Sequence, residues 1–98
     1  MVFDFSKIED LDYKKRIKTD KNGGVCYETR KGKVFLVLHK NTIEVRTDKK
    51  LRDVLCERYE SVMVSRYFGK GGIEFVLETQ LIDSEVVDLI RLSYKLSN

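Results

Sequence analysis

Residues 33–47 read KVFLVLHKNTIEVRT, two β-forming runs on either side of Lys40-Asn41. Asparagine tolerates the left-handed backbone of a tight turn, so the pair predicts a hairpin. The first run, Val34 to Leu38, is apolar at every position. That pattern predicts a central strand whose second face is covered by another layer or by a partner subunit. The second run alternates, with Ile43 and Val45 turned inward and Glu44 and Arg46 outward.

Working outward, VCYETR (25–30) alternates Val25, Tyr27 and Thr29 with Cys26, Glu28 and Arg30. Lys31-Gly32 supplies a turn into Lys33, which gives three strands in meander order. Ser6-Lys7-Ile8-Glu9 fits a capping box and predicts a short first helix carrying Phe5, Ile8 and Leu11. After Tyr13 the pattern dissolves into KKRIKTDKNGG, read as a break without regular structure. Downstream, Thr47 or Asp48 caps a helix, KKLRDVLCERY, with Leu51, Val54, Leu55 and Tyr59 as its stripe and Cys56 as a small buried neighbour. SVMVSRYF and GIEFVLE then read as strands, the second lining one face with Ile73, Phe75 and Leu77. Asp83 or Ser84 caps a terminal helix that offers Val86, Leu89, Ile90 and Leu96 to the core. The order is α-β-β-β-α-β-β-α: an α+β, two-layer α/β sandwich with an antiparallel sheet of about five strands, in one domain spanning 1–98.

A chain of 98 residues, 42% hydrophobic and 36% charged with no proline, supports one small core. Its longest apolar run falls far short of the roughly 20 residues a membrane span needs, and its N-terminus lacks a leader pattern. Cys26 and Cys56 stand apart, which argues against a disulfide framework and for a reducing cytoplasm. With His39 the only histidine, no spacing speaks for a metal or cofactor site. At a strand end beside Lys40-Asn41, His39 reads as turn-exposed and partnerless, and no local nucleophile–base pair suggests an enzyme.

RYFGKGGIE (66–74) packs three glycines around Lys70. A P-loop requires G-x-x-x-x-G-K-[ST] running into a helix, whereas strand-like residues follow here, so the glycines predict a hairpin turn. Such a turn, carrying Lys70 near Arg66 with Tyr67 and Phe68 at its base, can touch a nucleic-acid backbone as a wing does. Residues 1–50 carry 13 Lys/Arg against 8 Asp/Glu and residues 51–98 carry 6 against 8, a split of +5 and −2. The charge predicts a non-enzymatic protein that binds DNA or another nucleic acid without sequence selectivity. Its expected contacts are Lys31, Lys33, Arg66 and Lys70, helped by Lys14, Lys15 and Arg16, with Lys49, Lys50 and Arg52 as further basic residues. The alternative is a protein-interaction module or homodimeric chaperone-like adaptor using Val34–Leu38 or the C-terminal helix.

Residues 32–96, about two thirds of the chain, resemble the MmcQ/YjbR-like family of small double-wing α/β proteins related in fold to secretion chaperones. The matching features are the Lys33/Phe35 strand entry, a helix ending Glu57-Arg58-Tyr59, the strand VMVSRYF with Tyr67 at its end, and the terminal Ser93-Tyr94-Lys95-Leu96. The chain departs from the family where Ile73 stands in place of a tryptophan and where a Pro-Gly step has no counterpart. The resemblance implies the element order already read, together with DNA binding.

Overall fold

The computed structural model describes residues 3–19, 23–77 and 81–98. Six strands form one antiparallel sheet: β1 (Tyr13–Thr19), β2 (Val25–Thr29), β3 (Val34–Leu38), β4 (Thr42–Arg46), β5 (Val62–Ser65) and β6 (Gly69–Val76). Two helices, α1 (Lys49–Arg58) and α2 (Asp83–Ser97), lie on one face. The strand order across the sheet is β1-β2-β3-β4-β6-β5, so β1 and β5 are its edges. The two-layer α+β architecture expected from the sequence is the observed one, with one strand more.

That added strand is β1, in the segment read as a break. Tyr13 pairs with Thr29 and Lys15 with Tyr27, and the charged positions are tolerated because an edge strand meets water. The first helix is reduced to a 3-10 turn, Phe5–Ile8, capped by Asp4 rather than Ser6: Asp4 Oδ1 accepts from the Ser6 amide at 3.0 Å and the Ser6 hydroxyl at 2.7 Å. Arg91 fastens this turn to α2 by donating to both carboxylate oxygens of Asp10, at 2.7 and 2.8 Å.

The helix-facing side of the sheet carries Tyr27, Phe35, Leu36, Ile43, Val45, Ile73 and Phe75, all buried against Leu55, Val86, Leu89 and Ile90. α1 starts where Asp48 accepts from the Leu51 amide at 2.7 Å, as the sequence predicts. α2 has no side-chain cap; Asp83 and Glu85 lie inside its first turn, where negative charge complements the helix dipole. Its docking depends on two serines. Beyond the Leu36–Val45 pair β3 and β4 part, and Ser93 bridges them, accepting from the Arg46 amide at 2.7 Å and donating to the Phe35 carbonyl at 2.5 Å. Ser97, one helical turn on, accepts from Arg46 Nε at 2.9 Å.

The continuous apolar run of β3 has a geometric explanation. Its register with β2 shifts between Tyr27 and Glu28, so Phe35 and Leu36 both reach the helix side. Val34 and Val37 fall on the opposite face and pack with Cys26 and Phe68. The second cover is thus the β5–β6 connection of the same chain. Among the described residues no helix is long and apolar enough to cross a membrane.

Candidate functional site

The glycine-rich segment opens β6 and also closes the turn: Gly69 has φ +60° and the Gly71 amide donates to the Phe68 carbonyl at 3.2 Å. The turn falls on Arg66–Phe68, and β6 begins at Gly69. Ser65 pairs with Gly69 while Val64 pairs with Ile73, which leaves 70–72 as an extra stretch along β6. Gly72 is needed there because a Cβ would sit 2.5 Å from the Val45 carbonyl oxygen and 2.7 Å from Phe68 Cβ. Without side chains at this point, the Arg66–Phe68 turn lies back over the helix-free face.

Beneath that turn is a buried cluster that the sequence reading did not anticipate. Glu44 and Glu74 face one another on β4 and β6, at 0% and 2% exposure. Glu44 Oε1 accepts from the Ser65 hydroxyl at 2.7 Å and the Tyr67 amide at 2.8 Å, and Glu44 Oε2 meets His39 Nε2 at 2.5 Å. Glu74 receives Arg66 in bidentate fashion, Nε at 2.8 Å and Nη2 at 2.7 Å, and the Thr42 hydroxyl at 2.7 Å. Opposite-charge forks of this kind are among the stronger polar contacts. Ligand atoms of His39, Glu44 and Glu74 lie within 4.8 Å of one another, a spacing that can hold a divalent cation. Here all four carboxylate oxygens are already engaged by protein groups, and the guanidinium of Arg66 offsets one of the two negative charges. The cluster is therefore a clamp that binds the turn to the sheet.

Two expectations are overturned here. Glu44 does not point to water, because the β5–β6 connection covers its face. His39 is neither turn-exposed nor partnerless: its side chain is 10% exposed and directed at Glu44, with the Gly24 backbone packed against the ring. One signal was present: the matching triplets Ile43-Glu44-Val45 and Ile73-Glu74-Phe75, each a lone acid inside a β-forming run.

Burial pushes the Glu74 carboxyl up, but the hydrogen bonds from Arg66 and Thr42 overcome it and hold the group below its ordinary 4.5. A carboxylate more acidic in the folded state stabilises the fold fully above that value and loses its contribution as pH falls through the lower, folded one. Acid unfolding followed by circular dichroism should show stability falling below pH 4.5, and Glu74→Gln should flatten that limb. An unchanged acid limb in the variant would remove Glu74 from the linkage.

The expected contact residues divide by position. Leu36 stands opposite Val45, so the Lys31–Lys33 turn lies at the end of the sheet where β4 leaves into α1. β6 begins at this same end: Gly72 is opposite Arg46, the Thr47 amide donates to the Gly71 carbonyl at 2.9 Å, and Arg52 Nη1 donates to the Lys70 carbonyl at 2.6 Å. Two strand spacings of roughly 4.8 Å separate β3 from β6, so these lysines share a rim about 10 Å across at the backbone. The first turn of α1 adds Lys49 and Lys50, and all five lysines are exposed.

The other expected contacts do not join this rim as a set. Arg66 is committed to Glu74 and serves to position the turn. Lys14 lies on the helix-free face, 3.9 Å from Glu28, while Lys15, opposite the core residue Tyr27, lies on the other face. The Arg16 side chain lies outside the described residues. Val34–Leu38 is buried by its own chain and offers no partner surface.

No family model, curated protein or solved structure matches the chain. The MmcQ/YjbR-like likeness rests on the sequence motifs alone.

Proposed function

We propose that this protein binds nucleic-acid backbone without sequence selectivity, through a rim formed by Lys31, Lys33, Lys49, Lys50 and Lys70. The observation that carries the reading is the convergence of these five lysines from three separate segments on one end of the sheet. None of them takes part in an ion pair among the described residues. The first turn of α1 sharpens the argument. A helix N-terminus favours acids, yet this turn has none and carries Lys49 and Lys50 instead, so positive potential is concentrated where the dipole is already positive. The Asp48 carboxylate beside it is occupied in capping Leu51. Flexible ammonium groups on an exposed rim suit phosphate oxygens and do not read base edges.

The experiment is binding to fluorescently labelled duplex DNA over a salt series. Five phosphate contacts predict a log–log slope of about −4.5, and Lys31→Glu/Lys70→Glu should reduce its magnitude by about 2. Arg66→Ala should leave the slope within error of wild type, because that guanidinium is held by Glu74. Absence of binding at low salt, or a slope indifferent to the double charge reversal, would sink the reading.

A further inference from the structure

The two edges of the sheet are built differently. β1 carries the exposed Lys14 and Lys15, the kind of charge that keeps an edge from pairing with another chain. β5, VMVS, has neither charge nor proline to protect it. Met63 and Val64 are each 50% exposed on it, and Val54 of α1 is 49% exposed. Val64 pairs with the core residue Ile73 and so lies on the helix side, while Met63 pairs with Glu74 and lies on the other. In α1, Leu55 and the Tyr59 cap turn toward α2, where the Tyr59 hydroxyl donates to Glu85 at 3.2 Å. At helical spacing Val54 is then on the opposite flank, above the open edge. Val64 and Val54 thus share the helix side of this edge, and Met63 is exposed on its other face.

We infer that β5 pairs with β5 of a second copy of this chain, antiparallel about a two-fold axis through Met63, joining the two sheets edge to edge. The occupant follows from self-complementarity. Residues 61–65 read Ser-Val-Met-Val-Ser in both directions, so in this register Val62 faces Val64 of the other copy and Ser61 faces Ser65. Each side chain of the segment therefore meets one of its own kind, as an isologous interface requires. A two-fold axis normal to the sheet also leaves both pairs of helices on one side and sends the two lysine rims to opposite ends of the joined sheet.

Sedimentation velocity of the full chain over a wide concentration range tests the association. The wild type should be a dimer in reversible equilibrium, and Val64→Lys should weaken it by at least about tenfold, because the two-fold brings both substituted positions into the seam. Met63→Cys provides a test that leaves the seam apolar. Mild oxidation should cross-link it to a covalent dimer, since the two-fold places the substituted positions directly opposite one another, whereas the wild type with Cys26 and Cys56 should not cross-link. A monomeric wild type throughout the concentration range overturns the inference. So does a dimer that is undiminished in Val64→Lys and yields no cross-link through position 63.

Discussion

Glu44→Ala is expected to lower the thermal unfolding midpoint by at least about 12 °C. The substitution removes one acceptor from three donors or partners at once: the Ser65 hydroxyl, the Tyr67 amide and His39. Glu44 is fully buried, and water does not replace the lost contacts freely at such a position. Removing one member of a buried charge network typically costs about 3–5 kcal/mol, a large part of the stability of a small domain. For a chain of this size each kcal/mol moves the midpoint by roughly 4–8 °C. Glu44→Gln keeps an acceptor for Ser65 and Tyr67 and should lose well under half as much. Calorimetry on the pair distinguishes a shape-and-hydrogen-bond role from a purely ionic one. If both variants melt within a degree or two of wild type, the cluster does not hold the turn.

The second large effect is expected at Gly72. In Gly72→Ala the new methyl would lie 2.5 Å from a backbone oxygen, Val45 O, so relief requires movement of β4 against β6 rather than of a flexible side chain. Overpacking of this kind costs about 1–3 kcal/mol, and the backbone partner puts Gly72→Ala at the upper end. Gly71→Ala is the control. Its nearest neighbour, the Phe68 carbonyl oxygen, would be 3.5 Å away, an ordinary contact, so a change within about 0.5 kcal/mol is expected. Urea unfolding of the two variants measures the contrast. Equal losses would mean that the close approach of the turn to the sheet is not what demands glycine here.

These effects locate what could be read from residue order. Period-two runs at Val25–Thr29 and Thr42–Arg46, the Asp48 cap and most of each helix stripe are local patterns that local backbone physics suffices to place, whereas Val54 and Leu96, expected in those stripes, are 49% and 45% exposed. β1 was missed because its charged residues form a strand only when β2 offers a ladder, a tertiary circumstance that overrides propensity. Gly72 was assigned to the turn rather than the strand because the need for glycine there comes from Val45 and Phe68.

The candidate site divides in the same way. Three of its five lysines were legible as exposed cations beside turns, since charge and turn chemistry are carried by the residues themselves. Lys49 and Lys50 joined them only through the register of β3, β4 and β6, which decides what shares an end of the sheet. Arg66 looked like the other cations and proved to be a clamp, because its partner Glu74 is brought to it by strand pairing and buried by the same turn. Local sequence thus specified five of the six strands, the two long helices, the two-layer class and the presence of exposed positive charge. Which charges are spent inside and which face solvent was decided by long-range packing, for the burial of a carboxylate depends on what folds over it.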